Sequence, residues 1–127
     1  MSDVTSPAVV DDKTNIRTSE ATADVLELLV KQGHFVTQLG AFQAAAMLAL
    51  RKELPAVDIP SAGGLNYNQG SFKQVIDFLT WYVPTPTPAR LLEQLGNAGA
   101  AYIGEKVRSG GYTLTEIFEI AQPDATA

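Results

Sequence analysis

The 127-residue chain has no cysteine, a single histidine, a single tryptophan and no apolar run of membrane-spanning length. Without cysteine there are no disulfides, no thiolate nucleophile and no cysteine-rich zinc site, which suits a reducing compartment. The first fifteen residues, MSDVTSPAVVDDKTN, lack the basic start and apolar core of a secretory signal. A soluble, cytoplasmic protein without a membrane segment is the expectation. Catalytic patterns are missing as well. The lone His34 sits beside Gly33 in a turn with no partner nearby in sequence, and there is no H-E-x-x-H, no D-x-D and no G-x-S-x-G elbow. No catalytic residue, cofactor or metal ligand is assigned, and the chain does not read as an enzyme.

Positive charge is also scarce. Nine Lys and Arg against fourteen Asp and Glu give a net charge of −5, which excludes a broad basic footprint on nucleic acid. The charge is uneven: residues 1–12 and 55–127 each carry −3, whereas residues 13–54 carry +1. Contact with DNA at a few points within 13–54 is compatible with that distribution.

What is present suits one mainly α domain with a core of ordinary size. Residues 1–12 are small, polar and acidic and read as a disordered arm, and 122–127 as a tail. From Lys13 to Leu54 the order is strand, helix, turn, helix. Lys13, Asn15 and Arg17 alternate with Thr14, Ile16 and Thr18, the period of a strand. Ser19 is placed to cap a first helix running to about Gln32, with Glu20 and Asp24 complementing the positive end of its dipole. Ala21, Val25, Leu28 and Leu29 form its apolar stripe, and Gly33 supplies a left-handed stop. Thr37 caps a second helix, to Leu54, that is apolar almost all round through Leu39, Phe42, Ala45, Ala46, Met47, Leu48, Ala49 and Leu50. Such a helix must be covered on several sides, either by a second copy of the chain or by helices from 70–121.

Residues 55–121 read as a three-helix region. Pro55 to Gly70, with its prolines, glycines and amides, is a loop. Ser71 and Gln74 have capping-box spacing ahead of a helix to about residue 83, carried by Phe72, Val75, Ile76, Leu79 and Val83, with Trp81 and Tyr82 packing at its end. Pro84 to Pro88, PTPTP, is a stiff elbow. Thr87 then caps a helix with Pro88 at its first position, a buried face of Leu91, Leu92, Leu95, Ala98, Tyr102 and Val107, and a stop at Gly110–Gly111. The glycines of GNAGAAYIG (96–104) have neither the spacing nor the context of a phosphate loop, and read instead as small residues that admit a close helix neighbour. Thr113 and Glu116 form a second capping box, opening a short helix through Leu114, Ile117, Phe118 and Ile120 before Pro123.

The N-I-R-T-S run at 15–19, followed by two helices, resembles the ribbon-helix-helix DNA-binding proteins, relatives of the Arc and Met repressors, over residues 13–54. The resemblance implies a dimer whose paired strands form a ribbon read into the DNA major groove. It implies base contacts from Lys13, Asn15 and Arg17, a dimer core containing Ile16, Phe42 and Ala46, and phosphate contacts at Thr37 and Gln38 on the second helix's N-terminus. Residues 33–50 and the GNAGAAYIGEKV helix are also similar to small proteins associated with Dnd-type DNA phosphorothioation and defence clusters. That similarity implies a place beside DNA-processing machinery. Two functions follow as expectations: a DNA-binding homodimer acting as a transcription regulator or as an accessory subunit of a DNA modification or phage-defence system, or a helical adaptor that binds proteins without touching DNA.

Overall fold

The computed structural model describes residues 12–56, 58, 63–110 and 112–118, a mainly helical fold with one short two-stranded antiparallel sheet. The arm over 1–11, the tail over 122–127 and Ile120 of the last helix lie outside the described residues. The elements are β1 (Asn15–Arg17), α1 (Glu20–Lys31), α2 (Gln38–Arg51), β2 (Asn66–Asn68), a 3-10 turn (Gln69–Phe72), α3 (Lys73–Tyr82), α4 (Pro88–Gly110) and α5 (Leu114–Phe118).

α4 is the element the others pack on: α1, α2, α3 and β1 all contact it, and α2 makes the largest of these interfaces. Glycine makes that interface possible. A Cβ on Gly96 would stand 2.1 Å from the Phe42 ring, and one on Gly99 would stand 1.9 Å from the backbone oxygen of Ala45. The small residues of α4 thus admit a close helix neighbour, as their composition implies. Phe42 continues into an aromatic row, 5.6 Å from Phe72, which in turn meets Tyr67 edge-on at 5.5 Å.

This packing changes what covers α2. Phe42 and Ala46 are fully buried within one chain, as is Ile16. The three side chains assigned to a dimer core therefore have no surface left to give a second copy. The cover comes chiefly from α4, within the 70–121 region of the intrachain alternative, and also from α1.

Local chemistry explains most boundaries. Ser19 Oγ accepts from Thr22 N–H and Thr37 Oγ1 from Gly40 N–H, both at 3.0 Å, so α1 and α2 begin at the expected caps. α1 ends in a Schellman arrangement with Gly33 at φ +80. α2 ends the same way three residues before its expected end at Leu54: Leu54 N–H reaches Ala49 O at 2.9 Å, and Glu53 takes the left-handed position at φ +56. At α5 the capping box closes, with Thr113 N–H donating to Glu116 Oε1 and Glu116 N–H to Thr113 Oγ1.

Four expectations need correction. The loop over 55–70 contains β2, whose Tyr67 turns inward with the preceding Leu65 while Asn66 and Asn68 are exposed. Ser71 does not cap α3; it lies inside the 3-10 turn, which Asn68 caps by accepting from Gly70 N–H at 2.7 Å. At α4 the free N–H groups of Ala89 and Arg90 donate to Asp12, at 2.7 and 3.0 Å, while Thr87 is turned toward Thr85. Asp12 is therefore an anchor and not part of a loose arm. Finally, the buried residues of α1 are Thr22, Leu26 and Leu29, so of the expected stripe Leu29 faces the core while Ala21, Val25 and Leu28 lie to one side of it.

Two predictions follow from this packing. Gly99→Ala gains about 1 kcal/mol of helix propensity, but its methyl must push α2 and α4 apart, and we expect a net loss of about 1–3 kcal/mol in denaturant unfolding. Glu53→Gly removes the left-handed penalty, and the thermal midpoint should rise by the equivalent of about 1 kcal/mol.

Candidate functional site

The polar ribbon is closed within the chain. β1 pairs with β2 in antiparallel register, Asn15 opposite Asn68, Ile16 opposite Tyr67 and Arg17 opposite Asn66. The pairing is extended by Thr18 N–H to Leu65 O at 3.0 Å and Gln69 N–H to Thr14 O at 2.9 Å. Thr18 Oγ1 accepts from Leu65 N–H, and Gly64 passes so close that a Cβ there would lie 2.3 Å from that hydroxyl.

The other edge of β1 is met at Arg17 by side chains of α4. Arg17 N–H donates to Glu93 Oε2 at 2.8 Å, and Asn97 Nδ2 donates to Arg17 O at 3.1 Å. Asn97 also accepts from Ser19 N–H at 3.0 Å and donates its second amide hydrogen to Glu93 O at 2.7 Å. Both side chains are nearly buried, about 5 % exposed. Buried polar groups of this kind are stable only when their hydrogen bonds are made, and here no buried side-chain polar atom among the described residues is left without a partner. A two-fold ribbon pairing at this edge would have to displace Glu93 and Asn97.

Alternation nevertheless places Asn15 and Arg17 outward, beside Asn66 and Asn68. Lys13 does not join that face. Its ammonium lies 3.5 Å from Glu93 Oε1, and its side chain is only 19 % exposed. Thr37 and Gln38 remain at the start of α2, with the Thr37 hydroxyl occupied by Gly40 N–H. Burial also pushes the Tyr67 phenol above its ordinary pKa of 10.0, which fits its inward place under the ribbon.

The second surface is aromatic, and here the expected packing of Trp81 and Tyr82 fails. Trp81 is 80 % exposed, Tyr82 58 % and Phe78 41 %. Phe78 and Tyr82 stack with centroids 5.4 Å apart, and Trp81 lies 6.3 Å from Phe78. Residues 78, 81 and 82 fall on one side of α3 because Leu79 and Phe72 hold its other side in the core. Beside the rings lies an open depression of about 390 Å³ bounded by Met47, Leu50, Arg51 and Glu53. A side chain of this size usually buries most of its area, so three together on one face are unusual for a free surface. The spacing F-x-x-W-Y carried this signal in the sequence, and Glu93 and Asn97 stand one helical turn apart.

Among the described residues no group of three or more His, Asp or Glu could hold a metal ion, and no helix is long and apolar enough to cross a membrane. Compared with protein families, characterised proteins and solved structures, the chain matches none.

Glu93→Ala would leave the Arg17 N–H and the Lys13 ammonium without their partner, and we expect a loss of about 1–3 kcal/mol in thermal or urea unfolding. Arg17→Ala, on the exposed face, should change stability by no more than about 0.5 kcal/mol.

Proposed function

We propose that the chain is a protein-interaction subunit that binds a partner through the aromatic face of α3. The observation that carries this reading is the contiguous exposure of Phe78, Trp81 and Tyr82 beside the Met47–Leu50 depression. Trp and Tyr are the residues that most often dominate binding energy at protein interfaces, since each supplies a large rigid area at small entropic cost. The net charge of −5 and the pairing of Lys13 with Glu93 weigh in the same direction, because they leave little positive charge for a phosphate backbone. A partner within a DNA-processing complex is what the sequence resemblance to small proteins of Dnd-type clusters would imply.

A second reading, direct DNA contact, is favoured by the exposed ribbon face. Arg17 suits guanine and the three asparagines suit adenine, so one chain presents a polar row of base-reading chemistry without needing a second copy. Whether as a regulator or as an accessory subunit, such a protein would contact DNA through Asn15, Arg17, Asn66 and Asn68, with Lys13 held back.

A photo-crosslinking amino acid at position 81, introduced in the native host, tests the first reading. We expect one dominant crosslinked protein, and the purified pair should bind at least about tenfold more weakly when the chain carries Trp81→Ser, with unchanged thermal stability. A diffuse crosslinking pattern, together with selection of a defined duplex from a random pool that Arg17→Ala abolishes, would favour DNA instead.

A further inference from the structure

α1 carries more apolar surface than the core uses. Thr22, Leu26 and Leu29 are buried, yet Ala21, Val25 and Leu28 continue the apolar character onto the neighbouring face, where Leu28 is 38 % exposed. That face meets α4 at one point, Val25 against Gly104, and leaves open space beside it. Between the two helices lies a cavity of about 280 Å³, walled by Ala21, Val25 and Leu28 on one side and by Ile103 and Val107 on the other. Its lining is predominantly apolar, and its size is just below the range of drug-sized ligand sites, about 300–1,000 Å³.

Gly104 admits Val25 at the edge of this space. A Cβ there would stand 2.9 Å from Val25 Cγ2 and 3.4 Å from Arg108 Nη1. Hydrogen at this position lets Val25 close on α4, and the Arg108 guanidinium lies back along the helix beside the cavity. The Arg108 side chain has no hydrogen bond or ion pair with any described residue, and neither does that of Asp24, which also lines the cavity, from α1. An apolar space with one unpaired guanidinium suits an apolar body carrying a single carboxylate, because the planar fork of arginine can hold both carboxylate oxygens. The acid on α1 acts against a second negative charge on the ligand.

We propose that the α1–α4 cavity binds a small monocarboxylate with an aliphatic or aromatic body, the body between Val25, Leu28 and Val107 and the carboxylate on Arg108. This site is independent of the α3 surface and of the ribbon face. Octanoate and phenylacetate are suitable probes, titrated into the full chain labelled with ¹⁵N, with succinate and octylamine as comparison ligands. Saturable shifts are expected at the amides of Val25, Leu28, Gly104 and Arg108 with at least one of the two monocarboxylates, and none with succinate. Arg108→Gln should weaken that binding by about tenfold or more while leaving the unfolding midpoint of the free protein in place, since the side chain is exposed and unpaired. Gly104→Ala should weaken it as well, because its methyl must displace Val25, which walls the cavity. Absence of saturable binding of either acid at millimolar concentration, equal binding of octylamine, or an affinity that Arg108→Gln leaves unchanged would overturn the proposal.

Discussion

The approach of α2 to α4 across Gly96 and Gly99 is the constraint on which the rest of the structure depends. With hydrogen in place of a methyl at these two positions, the Phe42 ring lies on one turn of α4 and the Ala45 carbonyl on the next. An interior packed at crystal-like density leaves no slack for an extra carbon at such a contact. The helix pays in propensity for each glycine, about 1 kcal/mol, and recovers it through the burial of an α2 that would otherwise expose an apolar surface nearly all round. That burial covers Phe42, Ala45 and Ala46 within one chain.

Once α4 is seated on α2, its remaining sides determine where the strand and α1 go. Glu93 and Asn97, one turn apart, present a polar edge to β1 and supply the backbone partners that a neighbouring strand would otherwise provide. Further along the same helix, Val25 of α1 comes close to Gly104. Asp12 ties the start of β1 to the first turn of α4, so the strand is held at both ends by one helix. β2 closes the other edge of the ribbon, and Tyr67 carries it into the aromatic row with Phe72 and Phe42. The result is a sheet small in residues but fixed by side-chain hydrogen bonds, a register weakly specified by strand length alone.

The surfaces left over from this arrangement are where function must be sought. The core consumes the inward side of α3 and leaves Phe78, Trp81 and Tyr82 outside; it consumes one stripe of α1 and leaves a second beside a cavity; and it turns four polar ribbon residues outward. Exposed tryptophan and unpaired arginine are costly or idle in a protein that binds nothing, which is why these places, and not the scattered surface carboxylates, carry the functional reading.

Local rules were enough for much of the chain. Caps at Ser19, Thr37 and Thr113, the stop at Gly33 and the alternation around Ile16 are legible because each depends on residues within a few positions, through hydrogen bonds or φ preferences that the residue type itself sets. The small residues of α4 likewise announced a close neighbour without naming it. Tertiary contacts decided the rest. The partner of β1 lies some fifty residues away, and a three-residue strand such as Asn66–Asn68 has too little pattern to stand apart from a loop. Glu53 ends α2 in a conformation usually left to glycine, because the Schellman hydrogen bonds and the packing of Leu54 hold it there. The rotation of α1's buried face onto Leu26, and with it the cavity beside Val25 and Gly104, depends on how α1 lies along α4, which periodicity within α1 cannot specify: two adjacent apolar stripes are equally helical, and only the neighbour selects which one is buried.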